Sequence, residues 1–153
     1  MNTSNNNLAQ EEASERRGIT QDLIRKLIQE RQEMLVNFCS VAGLDPYSPE
    51  KPTKDSLKDF CEVMVDYLAL GHFEVYPRIS EGRERRQQVS ELADKIYPRI
   101  AKASGIAIEF NDKYDTKEDV SWDSLSQDLS NLGETLAARV DLEDQLIHSM
   151  LYR

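Results

Sequence analysis

A chain of 153 residues and 17.6 kDa has the length of one compact domain and is short for two. Its 19 Lys and Arg against 28 Asp and Glu leave a formal charge of -9. That balance argues against direct nucleic-acid binding, which neutralises phosphates with a basic face, and no apolar run approaches the roughly 20 residues of a membrane span.

The opening Met1-Asn2-Thr3-Ser4-Asn5-Asn6-Asn7 has neither the charged nor the apolar region of a signal peptide. Residues 1–18 are polar, lack periodicity and end at Gly18, so they predict a flexible or frayed arm, or a marginal helix, ahead of a single domain over 19–153. From Thr20 onward Leu23, Ile24, Leu27, Ile28, Leu35, Phe38 and Ala42 recur at helical spacing. Gly43 is a natural terminator, and Pro46 and Pro49 make the connection a loop.

A second helix is expected to start near Thr53, with Ser56 and Asp59 at capping-box spacing and a stripe of Leu57, Phe60, Cys61, Met64, Val65 and Leu68. Pro77 predicts a stop or kink at Tyr76. Residues 81–102 carry six basic and four acidic side chains, with a basic patch at Arg83–Arg86 and a narrow apolar edge of Val89, Leu92, Ala93 and Ile96. They predict a short surface helix. Pro98 interrupts it or begins the next helix, through Ile100, Ala103, Ile106, Ala107 and Phe110. The last helix is the clearest: Ser124 and Gln127 have capping-box spacing, and Leu125, Leu129, Leu132, Leu136, Val140, Ile147 and Leu151 follow. With no period-two alternation, the pattern predicts an all-α, elongated antiparallel bundle of four long helices plus one or two short ones.

Catalytic chemistry finds little support. A di-iron bundle needs Glu-x-x-His pairs, but the residues three before His72 and His148 are Ala69 and Gln145. Cys39 and Cys61 lie on apolar stripes, where a thiol is a small, inert core residue of a reduced cytoplasmic protein. Asp112, Asp115, Glu118 and Asp119 resemble calcium ligands in type only, since the EF-hand spacing is absent. There is no nucleophile elbow, P-loop or dinucleotide fingerprint. The sequence therefore predicts no enzyme, no metal and no cofactor.

Two surface features remain. Residues 103–152 carry eleven acidic against three basic side chains, which fits either a solvated helix face or a surface that attracts a basic partner. In the second helix, an inward Leu57, Cys61, Met64 and Leu68 would turn Asp66, Ala69, Leu70 and Phe73 outward. An exposed acid beside an exposed Leu and Phe predicts a recognition patch, against the alternative that Phe73 packs under the Pro77 turn. His72 taken alone reads as a hydrogen-bonded structural histidine.

The stretch Val65-Asp66-Tyr67-Leu68-Ala69-Leu70-Gly71-His72-Phe73-Glu74-Val75-Tyr76 resembles the signature of the regulator-of-sigma-D family, Rsd and AlgQ. Arg31–Cys39, Phe110–Asp115, and Leu132–Arg139 followed by Leu142–Ile147 are similar to three further family stretches, in the same order. The resemblance spans residues 16–151. It implies an elongated helical bundle that acts as an anti-sigma factor, binding region 4 of the primary sigma factor of bacterial RNA polymerase and hindering its contacts with core enzyme and promoter DNA. It further implies a sigma-contacting role for Asp66, with Tyr67, Leu70, Gly71, His72 and Phe73 in the contact region or its scaffolding. A monomer or weak dimer in the cytoplasm is the family precedent. One departure is visible: Ala69 and Leu70 stand where family chains commonly read Ser-Ala. An acidic helical module for another basic partner in stress signalling is the alternative function.

Overall fold

The computed structural model describes residues 3–44, 47, 52–78, 87–115 and 122–151. The Pro46 and Pro49 loop, the Arg83–Arg86 basic patch, and Glu118 and Asp119 lie outside the described residues. Four long helices make up the chain: α1 (Thr3–Ala42), α2 (Lys54–Leu70), α3 (Gln87–Tyr114) and α4 (Leu125–Leu151), with a π-helical turn over Gly71–Val75. Among the described residues there is no strand.

The pairing of side chains sets the topology. Phe38 of α1 meets Phe60 of α2 at 5.9 Å between ring centroids, and Phe60 meets Phe110 of α3 at 6.2 Å. Further along, the Tyr76 ring lies 6.2 Å from that of Tyr97 on α3. Ser104 of α3 bonds Arg139 of α4, and Arg31 of α1 reaches Asp144 of α4. In each neighbouring pair a rising number on one helix meets a falling number on the next, so the four helices run alternately up and down and close into a bundle.

Each helix contributes a stripe at steps of three and four, the coiled-coil period. On α3 it is Ala93, Ile96, Ile100, Ala103, Ala107, Phe110 and Tyr114, all buried. This stripe runs unbroken past Pro98, which corrects the expectation of a short surface helix ending there. Pro98 lies on the exposed side, where water can take the place of the missing amide hydrogen bond. On α2 the buried set is broader, Leu57, Phe60, Cys61, Met64, Tyr67, Leu68 and Leu70, because that helix packs against both α1 and α3. Burial pushes the Cys61 thiol up to about 12, while Cys39 is only half-buried.

The helix ends show which cap residues are used. Gly43 adopts φ 69, and the amides of Gly43 and Leu44 return to the carbonyls of Ser40 and Cys39, a Schellman closure that requires the left-handed residue. α2 is capped by Thr53, whose hydroxyl accepts the Ser56 amide at 3.0 Å, so the Ser56–Asp59 box is not the cap. Ser124 precedes α4, but Gln127 reaches forward to Asn131 and forms no box with it. α1 is already helical at Thr3, and from Asn6 to Ile19 its side chains are exposed apart from a half-buried Ala13.

Candidate docking site at the end of the second helix

Pro77 does not stop the helix at Tyr76; the adjustment comes one turn earlier. The Tyr76 amide bonds to the Gly71 carbonyl, five residues back, and this wider turn relieves the clash a proline ring makes with the carbonyl four residues before it. Helical backbone then continues through Arg78. Gly71 is required here for space: a Cβ would lie 2.9 Å from Tyr76 Cζ.

Behind this turn lies a polar layer through the bundle. Tyr67 donates its hydroxyl to Glu143 Oε1 at 2.6 Å, and Tyr76 donates to Glu143 Oε2. Arg139 donates to the Tyr67 hydroxyl at 2.8 Å and to the Tyr76 hydroxyl at 2.9 Å. Its guanidinium lies over both rings, 4.9 and 5.8 Å from their centroids. Arg31 adds bonds to Glu143 at 3.2 Å and Asp144 at 2.7 Å. Burial, and then the Glu143 charge, raise both tyrosine hydroxyls above the usual phenol range, so they act as neutral donors. Inside the layer Arg139 and Glu143 offset each other, and Arg31 links Glu143 to the exposed Asp144 at the rim, so the buried charges are paired as they need to be.

Sequence reasoning missed Arg139 and Glu143. The signal was present: continuing Leu125, Leu129, Leu132 and Leu136 by steps of three and four lands on Arg139, Glu143 and Leu146, all buried. A search for apolar residues alone passes over the two polar ones. On α1, Arg31 likewise continues the series Thr20, Ile24 and Leu27 toward Met34.

The six residues singled out in the second helix divide into two groups. Tyr67, Leu70 and Gly71 are buried, whereas Asp66, His72 and Phe73 are exposed. Leu70 corrects the expectation of an outward side chain: at 5% exposure it belongs to the second buried row of α2, with Phe60 and Tyr67. Phe73 is 73% exposed, and the His72 ring stands edge-on to it at 4.7 Å. It does not pack under the Pro77 turn. Asp66 of α2 and Glu74 of the π turn both act on the charge of Glu30 on α1, as does Glu33, so this face is acidic as well as apolar. Among the described residues no group of three or more His, Cys, Asp or Glu is placed to hold a metal ion, and no helix is long and apolar enough to cross a membrane.

Residues 8–151 match the family described as regulator of RNA polymerase sigma(70) subunit, Rsd/AlgQ. The chain belongs to the Rsd/AlgQ family. Among curated proteins it is similar to Regulator of sigma D from Yersinia enterocolitica, 36% identical over 142 residues, covering 90% of this chain and 85% of the relative. The protein of that name from Yersinia pseudotuberculosis is 38% identical over 143 residues, covering 90% and 84%. One from Salmonella newport is 33% identical over 144 residues, covering 90% and 86%. The Rsd/AlgQ match takes in α1 from residue 8 onward, the other three helices, the π turn and the polar layer behind it. The family is one of transcription regulators that act on a sigma factor, not a known class of enzyme.

Proposed function

We propose that this protein is a non-catalytic anti-sigma factor of the cytoplasm, which binds region 4 of the housekeeping sigma factor and keeps it from core RNA polymerase and promoter DNA. The observation that carries this reading is Phe73, 73% exposed on an acidic face that a buried polar layer supports from behind. A helix-turn-helix that reads DNA is basic, so an acidic surface competes for it, and electrostatic complementarity guides the encounter. Phe73 supplies the apolar anchor, and Asp66 pairs with an Arg or Lys of the partner. His72 edges the Phe73 ring within the contact region. Tyr67, Leu70 and Gly71, being buried, act by holding the turn. The protein works as a monomer or weak dimer, without cofactor or metal, and contacts neither nucleic acid nor membrane directly.

The test is calorimetric titration with region 4 of the same organism's primary sigma factor at low and moderate salt. One-to-one binding that weakens with salt is expected, with Asp66→Ala weakening it by about 1–3 kcal/mol. No binding at either salt, with both proteins folded, removes the reading; recovery of a different basic protein from a pull-down then favours a binding module for another partner.

A further inference from the structure

A π-helical turn holds one residue more than an α-helical turn, so it re-aims the side chains that follow it. At the end of α2 this changes which residues face the core. Glu62, Asp66, Ala69 and Phe73 form an outer row at steps of four and three, exposed except for a half-buried Ala69. An unbroken α-helix would set Tyr76 next in that row. Phe60 and Tyr67, both fully buried, would be followed inside by Glu74, seven residues on. With one residue inserted, Val75 takes that inner place, Tyr76 follows it inside, and Glu74 is left exposed.

The polar layer accounts for which residue goes in. Glu74 turned inward would bring a second carboxylate toward Glu143. Tyr76 brings instead a hydroxyl that donates to Glu143 and accepts from Arg139. Its carbonyl accepts from the Tyr97 hydroxyl of α3 at 3.2 Å, its amide closes the turn on Gly71, and its ring fills the space that Gly71 leaves by having no Cβ. Pro77 favours a wide turn ahead of it, and Tyr76 fixes where that turn ends. Phe73, in the middle of the turn, is held out at 73% exposure.

We infer that Tyr76 is a positioning residue for partner binding: seated between Arg139 and Glu143, it fixes the π register that puts Phe73 and Glu74 together at the surface. The inference rests on the anti-sigma reading above and deepens it by naming what sets the shape of the contact. An aromatic anchor already held in one orientation binds with less ordering cost than a mobile one. Tyr76 touches no partner itself; it acts through Phe73.

Tyr76→Phe keeps the ring and removes both hydroxyl bonds. Calorimetric titration of the folded variant with sigma region 4 should show affinity lowered about fivefold, with one-to-one stoichiometry retained. In a Phe73→Ala background the same substitution should change affinity by less than about twofold, because the residue it positions is gone. Tyr114→Phe, which loses a bond to Asp128 at the opposite end of the bundle, should lower stability and leave affinity unchanged. Should Tyr76→Phe not fold, Tyr97→Phe, which removes the bond to the Tyr76 carbonyl, should weaken binding with the same dependence on Phe73. Wild-type affinity in Tyr76→Phe, an equal loss with and without Phe73, or an equal loss in Tyr114→Phe overturns the inference and spares the anti-sigma reading. Failure of the wild type itself to bind removes both.

Discussion

Arg139 and Glu143 stand one turn apart on α4 with Nη1 and Oε2 at 3.2 Å, and the hydroxyls of Tyr67 and Tyr76 each bridge the pair. Each tyrosine donates to a different oxygen of Glu143 and accepts from a different nitrogen of Arg139. The helix that bears the proposed docking face is thereby tied to α4 both before and after the π turn. Tyr76→Phe or Tyr67→Phe should each cost about 1–3 kcal/mol, the penalty for leaving buried partners short of a bond. Arg139→Met, which leaves the buried Glu143 with only Arg31 to offset its charge, should cost about 3–5 kcal/mol. Urea unfolding of the three variants measures this, and Arg139→Met less destabilising than the phenylalanine variants contradicts the ordering.

Gly71→Ala tests whether the π turn depends on close packing. The added carbon would meet Tyr76 Cζ at 2.9 Å and its hydroxyl at 3.0 Å. The ring cannot swing aside without breaking its bonds to Glu143 and Arg139, so overpacking should cost about 1–3 kcal/mol. By contrast Gly105→Ala, with nothing within 4 Å of the new carbon, should stabilise α3 by up to about 1 kcal/mol. Thermal midpoints of the two variants should move in opposite directions.

Leu70 and Phe73 separate packing from recognition. Leu70→Ala opens a cavity at a buried site and should cost about 2–5 kcal/mol of stability. Phe73→Ala removes a ring that is 73% exposed and should leave stability within about 0.5 kcal/mol. The same variant should weaken sigma binding by about 2 kcal/mol or more, as for an aromatic anchor. Equal destabilisation by both substitutions would show that Phe73 belongs to the core.

Stability should also respond to pH at the opposite end of the bundle. The hydrogen bond from Lys113 at 2.7 Å, and then that from Tyr114, hold the Asp128 carboxyl below its ordinary value of 3.8. A lowered carboxyl pKa means the unfolded chain binds more protons in that range. Its contribution is therefore complete above the ordinary value and is lost as pH falls through the lowered one. Asp128→Asn should be less stable than wild type at neutral pH and converge with it in strong acid, as read from urea midpoints across pH. Glu30 has the opposite sign: its raised carboxyl favours folding below the ordinary glutamate value, and that advantage fades as pH rises through the folded-state value.

Much of this protein was legible in the order of its residues. The leucines of α4 from Leu125 to Leu136 and the stripes of α1 and α2 recur at helical period, a local property that needs no partner to be seen. Gly43, with the chain turning left-handed at φ 69, was legible as a stop for the same reason. The segment Val65–Tyr76 pointed to the Rsd/AlgQ family, and with the acidic balance it motivates the docking face proposed at the end of α2.

What the sequence alone determined, then, was four amphipathic helices, an acidic surface and a family. The tertiary structure decided which residues of the α2 segment face water and which are held inside. Leu70 went inward because α2 has neighbours on two sides, a fact of assembly and not of period. The path of α3 through Pro98 depended on that residue falling on the water side. Arg139 and Glu143 could occupy the interior only because Tyr67, Tyr76 and Arg31 arrive there from other parts of the chain to satisfy them. A buried charge is tolerable when its partners are in place, and those partners are distant in sequence and adjacent only in the folded bundle.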